Sequence, residues 1–545
     1  MTYYVKNLKK LTALLLVAVL LILPACKKDT GIDRNFYYPI TANAQRLDPQ
    51  IAYGSTEDII LYNCMEGLVR IAGDGTVIPG VAESWKISSD GKTYTFKLRE
   101  DAKWFASAAF HNKIPKGFFE DFDNSVTAND FVYAFRRAVT PLIASPLAEK
   151  LDQIQNARAI RLGKSKPENL GVRAIDKYTL RITLAEPDSQ FLLSLAFAPF
   201  YPCSQIFFEA TQGRYGLEPE YLLSNGPFYL ARWHESSSSV LLRRNPDYAG
   251  QEPVLPASVT LQIDSNPQQY SARLASGAYS ACPLISAADL PSGSQLISIE
   301  NRMTALVFNC GNGLMKRPAV RSALTGVLDL TKIAGDDHEL ALGLIPNSAI
   351  LGDESYRIKA DNASFAKMDV KKARSALASE LSSAGVSALE ITILCPPEFE
   401  SAVRQILQQW NAGFGLLVKT GVEILPEQTI EARGSRGDFT AAILPLSLHG
   451  QSPLGFLSQF AKDSPANIPR YSSSSYDKLL NSLRGANSAK SELSAARKAE
   501  NHLLQNGVCL PLFNAQSVFA VGRNVSGLEF PLGMLPDFRS ALMFG

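Results

Sequence analysis

The chain has few of the residues, and none of the short motifs, from which most enzyme active sites are built. Histidine occurs five times in 545 residues, and the patterns HExxH, GxSxG, GxxxxGK[ST] and GxGxxG are all absent. The signatures of metalloproteases, serine hydrolases, P-loop proteins and dinucleotide-binding proteins are therefore missing. The sequence predicts a protein that is not an enzyme and that holds no metal or cofactor.

Charge of one sign is nowhere concentrated. The 54 Lys and Arg residues nearly balance the 52 Asp and Glu residues, and charged residues make up only 19% of the chain. Nucleic acid is excluded as an expected partner, because binding it normally requires a clustered basic surface. At about 150 residues per domain, the length suggests three to four domain-sized units.

Closely spaced cysteines are also lacking. After Cys26 the nearest successive pair is Cys282 and Cys310, and 310 − 282 gives a separation of 28 residues. That spacing excludes CxxC redox pairs and zinc ribbons. Two possibilities stay open for the cysteines, namely long-range disulfides in an exported protein and free thiols in the core. The residues concerned are Cys64, Cys203, Cys282, Cys310, Cys395 and Cys509.

No apolar run is long enough to span a bilayer, which takes about 20 residues. The longest run, residues 11–23, follows Lys6, Lys9 and Lys10 and leads into Leu-Pro-Ala-Cys at 23–26. This arrangement resembles a bacterial lipoprotein signal, with Cys26 as the lipid anchor. An uncleaved anchor or a plain secretory signal is the alternative. Either way, the sequence predicts a protein of the cell envelope on the periplasmic or extracellular face.

Strand and helix patterns alternate along the rest of the chain. Alternating apolar and polar residues predict strands near 94–99, 178–184 and 259–263. Thr127 and Asp130 can form a capping box, which predicts a helix after them, and Pro318 marks another helix start. Further helices are predicted over 370–381, 400–410 and 491–504. The fold class is therefore α/β, or mixed α+β, built from several lobes.

Residues 106–125 interrupt these patterns. They carry His111, Lys113 and Lys116 and then three acids, with Pro115 and Gly117 between. The segment is predicted to be a long exposed loop, either a solvated insertion or a contact surface.

A series of short motifs resembles the family 5 extracellular solute-binding proteins, the oligopeptide- and dipeptide-binding components of ABC importers. The signature of this family is matched most closely by AESW at 82–85, SDGKTYTFKLR at 89–99 and Trp104. The other motifs follow in the family's order: LDPQ at 47–50, EGL at 66–68, TANDF at 127–131, AEPD at 185–188, NGPFY at 225–229, RNPDY at 244–248, VFN at 307–309, VRSAL at 320–324 and PLF at 511–513.

The resemblance implies a bilobal fold like that of the periplasmic binding proteins (type II, cluster C), with an inserted domain and a hinge between the lobes. Hinge closure would enclose a ligand in the cleft between the lobes. The implied division of the chain is a signal peptide at 1–25, a tether at 26–33, lobe I at 34–79, 188–303 and 511–545, an inserted domain at 80–187 and lobe II at 304–510.

The resemblance also implies two segments that pair with the ligand backbone. The first ligand segment is Tyr53, Gly54 and Ser55, which could alternatively be a simple turn. The second ligand segment comprises Leu444, Pro445, Leu446, Ser447 and His449.

In the second ligand segment, Leu446 replaces a Trp of the peptide-binding relatives. His449 replaces the Asp that binds the ligand ammonium, and Ile443 occupies the place of an Arg that can meet the ligand carboxylate. Pro445 has no N–H to offer a ligand carbonyl. A shifted alignment, or a His449 side chain that faces solvent, are the alternatives.

The expected function is that of a lipid-anchored binding protein of an ABC importer, a monomer that delivers peptides or peptide-like ligands to a permease with its ATPase. One rival is a ligand without a free N-terminal amine, such as a cell-wall peptide, an amide-capped peptide or an oligosaccharide. A second rival is a surface interaction or adhesion lipoprotein without a permease.

Overall fold

The structure is a computed structural model that describes residues 32–33, 35–73, 76–188, 191–335, 339–351, 354–360, 367–448, 452–462, 464, 466–486, 488–531 and 535–544. Cys26 and His449 lie outside the described residues, as does the predicted signal peptide.

The described chain is a mixture of strands and helices throughout its length. The strands are β1 Ile32–Asp33, β2 Asn35–Ile40, β3 Val69–Ile71, β4 Val77–Pro79, β5 Ala82–Ile87, β6 Thr93–Leu98, β7 Val172–Asp176, β8 Thr179–Thr183, β9 Phe228–Arg232, β10 Ser239–Arg244, β11 Ser258–Ile263, β12 Ala281–Leu284, β13 Gln295–Phe308, β14 Ile350–Leu351, β15 Glu354–Ser355, β16 Leu389–Cys395, β17 Val418–Ile424, β18 Ala441–Ser447, β19 Cys509–Val521, β20 Val525–Ser526 and β21 Leu542–Phe544.

The helices lie between these strands. They are α1 Ser55–Cys64, α2 Phe118–Asp121, α3 Ala128–Val139, α4 Ala157–Arg161, α5 Phe191–Ser194, α6 Gln205–Ala210, α7 Tyr270–Ala275, α8 Pro318–Gly326, α9 Leu330–Ala334, α10 Tyr356–Lys359, α11 Val370–Ser383, α12 Glu400–Phe414, α13 Glu427–Arg436, α14 Pro453–Leu457, α15 Ser474–Arg484 and α16 Ala489–Gln505.

The first half of the chain forms two four-stranded sheets that share one hydrophobic core. One has the strand order β2-β11-β10-β9 and the other β5-β6-β8-β7. Phe36, Phe96, Phe131 and Phe228 are all buried in this common core. The second sheet and α3 belong to the inserted domain, which therefore packs directly on lobe I.

A six-stranded sheet with the order β12-β19-β13-β18-β16-β17 runs from the first core into the second lobe, where β18, β16 and β17 lie. Side chains of β18 alternate between two cores, with Leu444 and Leu446 on one face and Ile443 on the other. Because successive side chains of a strand point to opposite faces, this sheet is covered on both sides.

Two long strands connect the lobes. Ile299 of β13 and Phe519 of β19 pack on the first core, whereas Val307 and Cys509 of the same strands pack in the second lobe. The antiparallel ladder between the two strands shifts register between Ile299 and Arg302. The register shift lies where the two strands change core, and a β-bulge at such a point allows a strand pair to bend.

Most predicted elements are confirmed. The capping box is present, with the Asp130 carboxylate accepting a 2.7 Å hydrogen bond from the Thr127 N–H, and α3 follows it. The predicted strands correspond to β6, β8 and β11, and the predicted helices to α8, α11, α12 and α16.

The expectation of a long exposed loop over 106–125 is wrong in part. Residues Ala108–Lys113 form a 3₁₀ helix and α2 follows. Ile114 is buried, and Phe118, Phe119 and Phe122 pack against the first core. Charge, Pro and Gly dominate the composition of the segment, but these few apolar side chains anchor it.

The six described cysteines are buried and free. Burial raises the pKa of Cys395 to about 12 and that of Cys310 to about 11, so both stay protonated thiols at neutral pH. Of the two possibilities left open by the sequence, the structure has core thiols. Within the described ranges, no helix is long and apolar enough to cross a membrane.

Candidate functional site

The second ligand segment lies on a strand whose one edge is partly uncovered. β18 pairs with β13 from Ala441 to Ser447. On its other side β18 pairs with β16 only at Ala441 and Ala442. Residues 443–447 therefore have, among the described strands, a partner on one side alone. We call this stretch the open edge, and an unpaired edge is where an extended peptide can add as a further strand.

The hydrogen-bond phase of the ladder shows which residues face the open edge. The Leu448 N–H donates to the Asn301 carbonyl at 2.8 Å. In an antiparallel ladder, alternate residues bond to the same neighbour, so Leu446 and Leu444 also direct their main-chain groups toward β13. Pro445 and Ser447 direct theirs toward the open edge. Pro445 contributes only a carbonyl there, as expected for proline on a strand edge.

The side chains of this segment divide between core and surface. Leu444 and Leu446 are buried among Met303 and Ala305 in the core of the second lobe. Pro445 and Ser447 are half-buried on the opposite face. Leu446 thus packs in the core, and the open edge is lined by main-chain atoms with Pro445 and Ser447.

The first ligand segment lies at the start of α1 in lobe I. Tyr53 is 72% exposed. Gly54 precedes the helix with φ 150°, and a Cβ at this position would lie 2.4 Å from a Glu57 carboxylate oxygen. The other oxygen of Glu57 accepts a 2.7 Å hydrogen bond from the Gln45 N–H. The backbone angle therefore favours glycine at position 54, because side chains other than that of glycine are strained at this φ.

An ion pair lies close to the C-terminal end of the open edge. Arg302 is directly opposite Ser447 in the ladder, and its guanidinium is 2.8 Å from Glu427 at the start of α13. Burial, together with the charge of Glu427, raises the pKa of Glu431 one turn further along α13. The structure thus places both signs of charge near the predicted ligand strand.

The structure places the two ligand segments on different lobes. Residues 443–447 share one strand, residues 53–55 share one helix start, and no hydrogen bond in the described part of the chain joins the two groups. Sequence reasoning missed Asn301 and Arg302. The signal was available, because polar residues at 300–302 interrupt the long apolar strand 295–308.

The described residues include no group of three or more His, Cys, Asp or Glu side chains that could hold a metal ion. What the site offers is a strand edge, an exposed aromatic ring and an ion pair, on two lobes joined by a hinge. This architecture defines the class of bilobal solute-binding proteins.

Comparison with known proteins identifies the family within that class. The model of the bacterial extracellular solute-binding proteins, family 5 Middle, matches residues 76–467. The chain belongs to this family.

Relatives of known name match over nearly their full length. A dipeptide-binding protein of Lactococcus lactis subsp. cremoris is 24% identical over 553 residues, covering 96% of both chains. A protein of Escherichia coli named probable deoxycholate-binding periplasmic protein YgiS is 27% identical over 520 residues, covering 92% of both. Among solved structures, Haemophilus influenzae OppA in complex with RPPGFSPFR matches with a TM-score of 0.76 and 25% identity, over 94% of this chain and 99% of that one.

Proposed function

We propose that the protein is the substrate-binding component of an ABC importer, which captures peptides or peptide-like ligands between its lobes and delivers them to a permease. The observation that carries this proposal is the open edge at residues 443–447. It presents main-chain hydrogen-bonding groups at the place that the family resemblance assigns to a ligand strand.

Main-chain pairing explains how one cleft could accept many peptides. Hydrogen bonds to a ligand backbone do not distinguish its side chains, and alternate ligand side chains project away from the strand edge. The half-buried Pro445 and Ser447 are small, so they restrict these ligand side chains little. The similarity of this chain to a dipeptide-binding protein and to OppA in complex with a peptide supports the same ligand class.

A ligand without a free N-terminal amine is the second candidate, and three points favour it. The aligned position of the ammonium-binding Asp is His449, and Pro445 removes one N–H donor from the open edge. In addition, a relative similar over 92% of the chain carries the name of a non-peptide binder. N-blocked peptides, cell-wall peptides and oligosaccharides are the ligands of this second kind.

The proposal includes the predicted division of the chain and its anchoring. The change of core along β13, between Ile299 and Met303, supports a lobe limit near 303. Along β19 the change comes between Phe513 and Phe519, a few residues after the proposed limit at 511. The inserted domain is proposed to span residues 80–187. We further propose that Cys26 carries lipid, that residues 26–33 form the tether to the membrane, and that the protein acts as a monomer in the cell envelope.

Native mass spectrometry of the purified protein tests the function directly. We expect a population whose mass exceeds that of the chain by one peptide-sized ligand, since a closed cleft buries its ligand from exchange with water. Denaturation followed by fragmentation would identify the ligand and decide between a free-amine peptide and the second candidate. A ligand-free mass, together with no calorimetric response to RPPGFSPFR or its N-acetyl form, would contradict the proposal.

A further inference from the structure

The inserted domain makes a buried polar contact with the stretch of chain just before the first ligand segment. Arg137 of α3 donates from Nη1 to an Asp48 carboxylate oxygen at 2.7 Å. Its Nη2 donates to the other Asp48 oxygen and also to the side-chain oxygen of Gln50. Arg137, Asp48 and Gln50 are 6%, 3% and 0% exposed, so this bidentate contact is shielded from water and salt.

Arg137 is itself held rigidly. Its guanidinium lies 4.5 Å from the ring centre of Phe208 and 5.5 Å from that of Tyr215. Stacking on aromatic faces orients the planar group as well as adding cation–π attraction. The capping box at Thr127 fixes the start of the helix that carries Arg137.

Asp48 and Gln50 in turn determine the path of the chain into the ligand segment. The Asp48 carbonyl accepts hydrogen bonds from the N–H groups of Ile51 and Ala52, at 2.9 and 2.7 Å. The Gln50 side chain donates to the carbonyls of Pro199 and Tyr201.

A second residue of the inserted domain reaches the same stretch. The Ser145 hydroxyl donates a hydrogen bond to the Gln50 carbonyl. Residues 48–52 are thus held from several sides before the chain reaches the exposed Tyr53.

We propose that Arg137 is a positioning residue, through which the inserted domain holds residues 53–55 in the conformation that pairs with ligand. This inference rests on the proposed function. The first ligand segment has an exposed ring and a flexible glycine, so its conformation depends on the residues that precede and follow it. Glu57 fixes the following side and the Arg137 contact fixes the preceding side. A segment that is already ordered loses less conformational entropy when ligand binds.

The test compares Arg137→Lys with Arg161→Lys. Lysine keeps the charge at Arg137 but cannot make the bidentate contact. Arg161 is the control, since its guanidinium also pairs with a carboxylate of the same domain, that of Asp152 at 2.6 Å. A third variant, Ser145→Ala, removes the hydroxyl contact to Gln50 together with the hydrogen bond that this hydroxyl accepts from the Leu147 N–H.

Amide hydrogen exchange on the ligand-free protein is the first measurement. We expect Arg137→Lys to accelerate exchange in residues 51–55 about tenfold relative to β6 and α12, because local opening governs exchange. Ser145→Ala should do so to a smaller extent, and Arg161→Lys should leave residues 51–55 unchanged. Equal exchange in all three variants and the wild type would overturn the inference. This measurement needs no ligand, so it stands apart from any failure of the proposed function.

Affinity for RPPGFSPFR by calorimetry is the second measurement. If residues 53–55 keep the binding conformation in only about a tenth of the Arg137→Lys molecules, the apparent Kd of this variant rises about tenfold. Arg161→Lys should bind as the wild type does, even where its thermal midpoint falls equally. If both variants lose affinity in proportion to the fall in their thermal midpoints, Arg137 has only a structural role, which would contradict the positioning role.

Discussion

The buried Asn301 ties the hinge to the open edge by accepting a 2.8 Å hydrogen bond from the Leu448 N–H at its main-chain oxygen. Its side-chain oxygen accepts a second hydrogen bond, also at 2.8 Å, from the Ser517 hydroxyl of β19. Asn301 lies in the bulge between Ile299 and Arg302, where the chain changes lobe. One residue therefore connects both crossing strands to the end of the predicted ligand strand, so we expect bending at this point to act beside the ligand.

Ligand binding should close the lobes. Strands kinked by a bulge can bend at that point with little change elsewhere, as in other hinged clefts. Small-angle scattering with and without RPPGFSPFR should show a smaller radius of gyration in the complex. If calorimetry shows that the complex forms but its radius of gyration is unchanged, the result would favour a rigid interaction scaffold.

Gly54→Ala should weaken ligand binding. An alanine is strained at the φ of 150°, and its methyl group would lie 2.4 Å from the Glu57 carboxylate, so the end of that side chain must shift. We expect about tenfold weaker binding and a loss of about 1–2 kcal/mol in the free energy of unfolding. Gly163→Ala is the control, because it also has positive φ but a Cβ there meets nothing within 4 Å. If both variants bind equally well, Gly54 has no part in the ligand site.

The wild type should bind free dipeptides and tripeptides poorly and N-acetylated or longer peptides better. The family resemblance assigns His449 and Ile443 to the positions of two charged residues, and with that placement we expect a short zwitterion to lose hydration at both ends without a matched partner. His449→Asp should strengthen binding of free-amine peptides by about tenfold or more, since a charge-assisted hydrogen bond contributes about 1.5–3 kcal/mol.

Calorimetry with a free tripeptide and its N-acetyl form, on both proteins, checks this expectation. Tight wild-type binding of the free peptide that acetylation abolishes would show that another acid meets the ammonium. Glu427 would then be the first residue to replace, because it pairs with Arg302, which lies opposite Ser447.

Glu492 should make the protein less stable as pH rises through the neutral range. Burial in the first turn of α16, with the nearby Asp188 charge, raises the pKa of Glu492 from 4.5 to about 7. The folded protein then binds the proton more tightly than the unfolded chain. This contribution to stability is complete below about pH 4.5 and is lost as the pH rises to about 7.

Glu492→Gln should reduce the change in the free energy of unfolding between pH 4.5 and 7 by about 1 kcal/mol, after allowance for solvent screening. Denaturant unfolding of both proteins between those pH values measures it. Glu390→Gln, at an exposed ion pair, should keep the wild-type slope. An unchanged slope in Glu492→Gln would place the titrating group elsewhere.

Cys26→Ser should release the protein from membranes or block its processing, because only the thiol can be lipidated. Fractionation and metabolic labelling with a fatty-acid analogue would measure both effects. A Ser variant that is still labelled and membrane-bound would refute the anchor.

Local chemistry along the chain determined many of the elements. The capping box of Thr127 and Asp130 needs only residues three apart, and the alternation of β6 and β8 needs only one strand at a time. Such signals predicted the mixed fold class, and the ordered motifs indicated the family. The same approach misjudged residues 106–125, because composition does not show that Phe118 and Phe119 find a core to pack on.

Only the tertiary structure decided how distant segments meet at the candidate site. Pro445 faces an uncovered edge because β16 ends its pairing at Ala442, and no pattern within 443–447 specifies where a neighbouring strand stops. Arg137 meets Asp48 across 89 residues of sequence. Such a contact depends on the packing of the inserted domain on lobe I, since a buried ion pair forms only where the fold brings both charges together out of water.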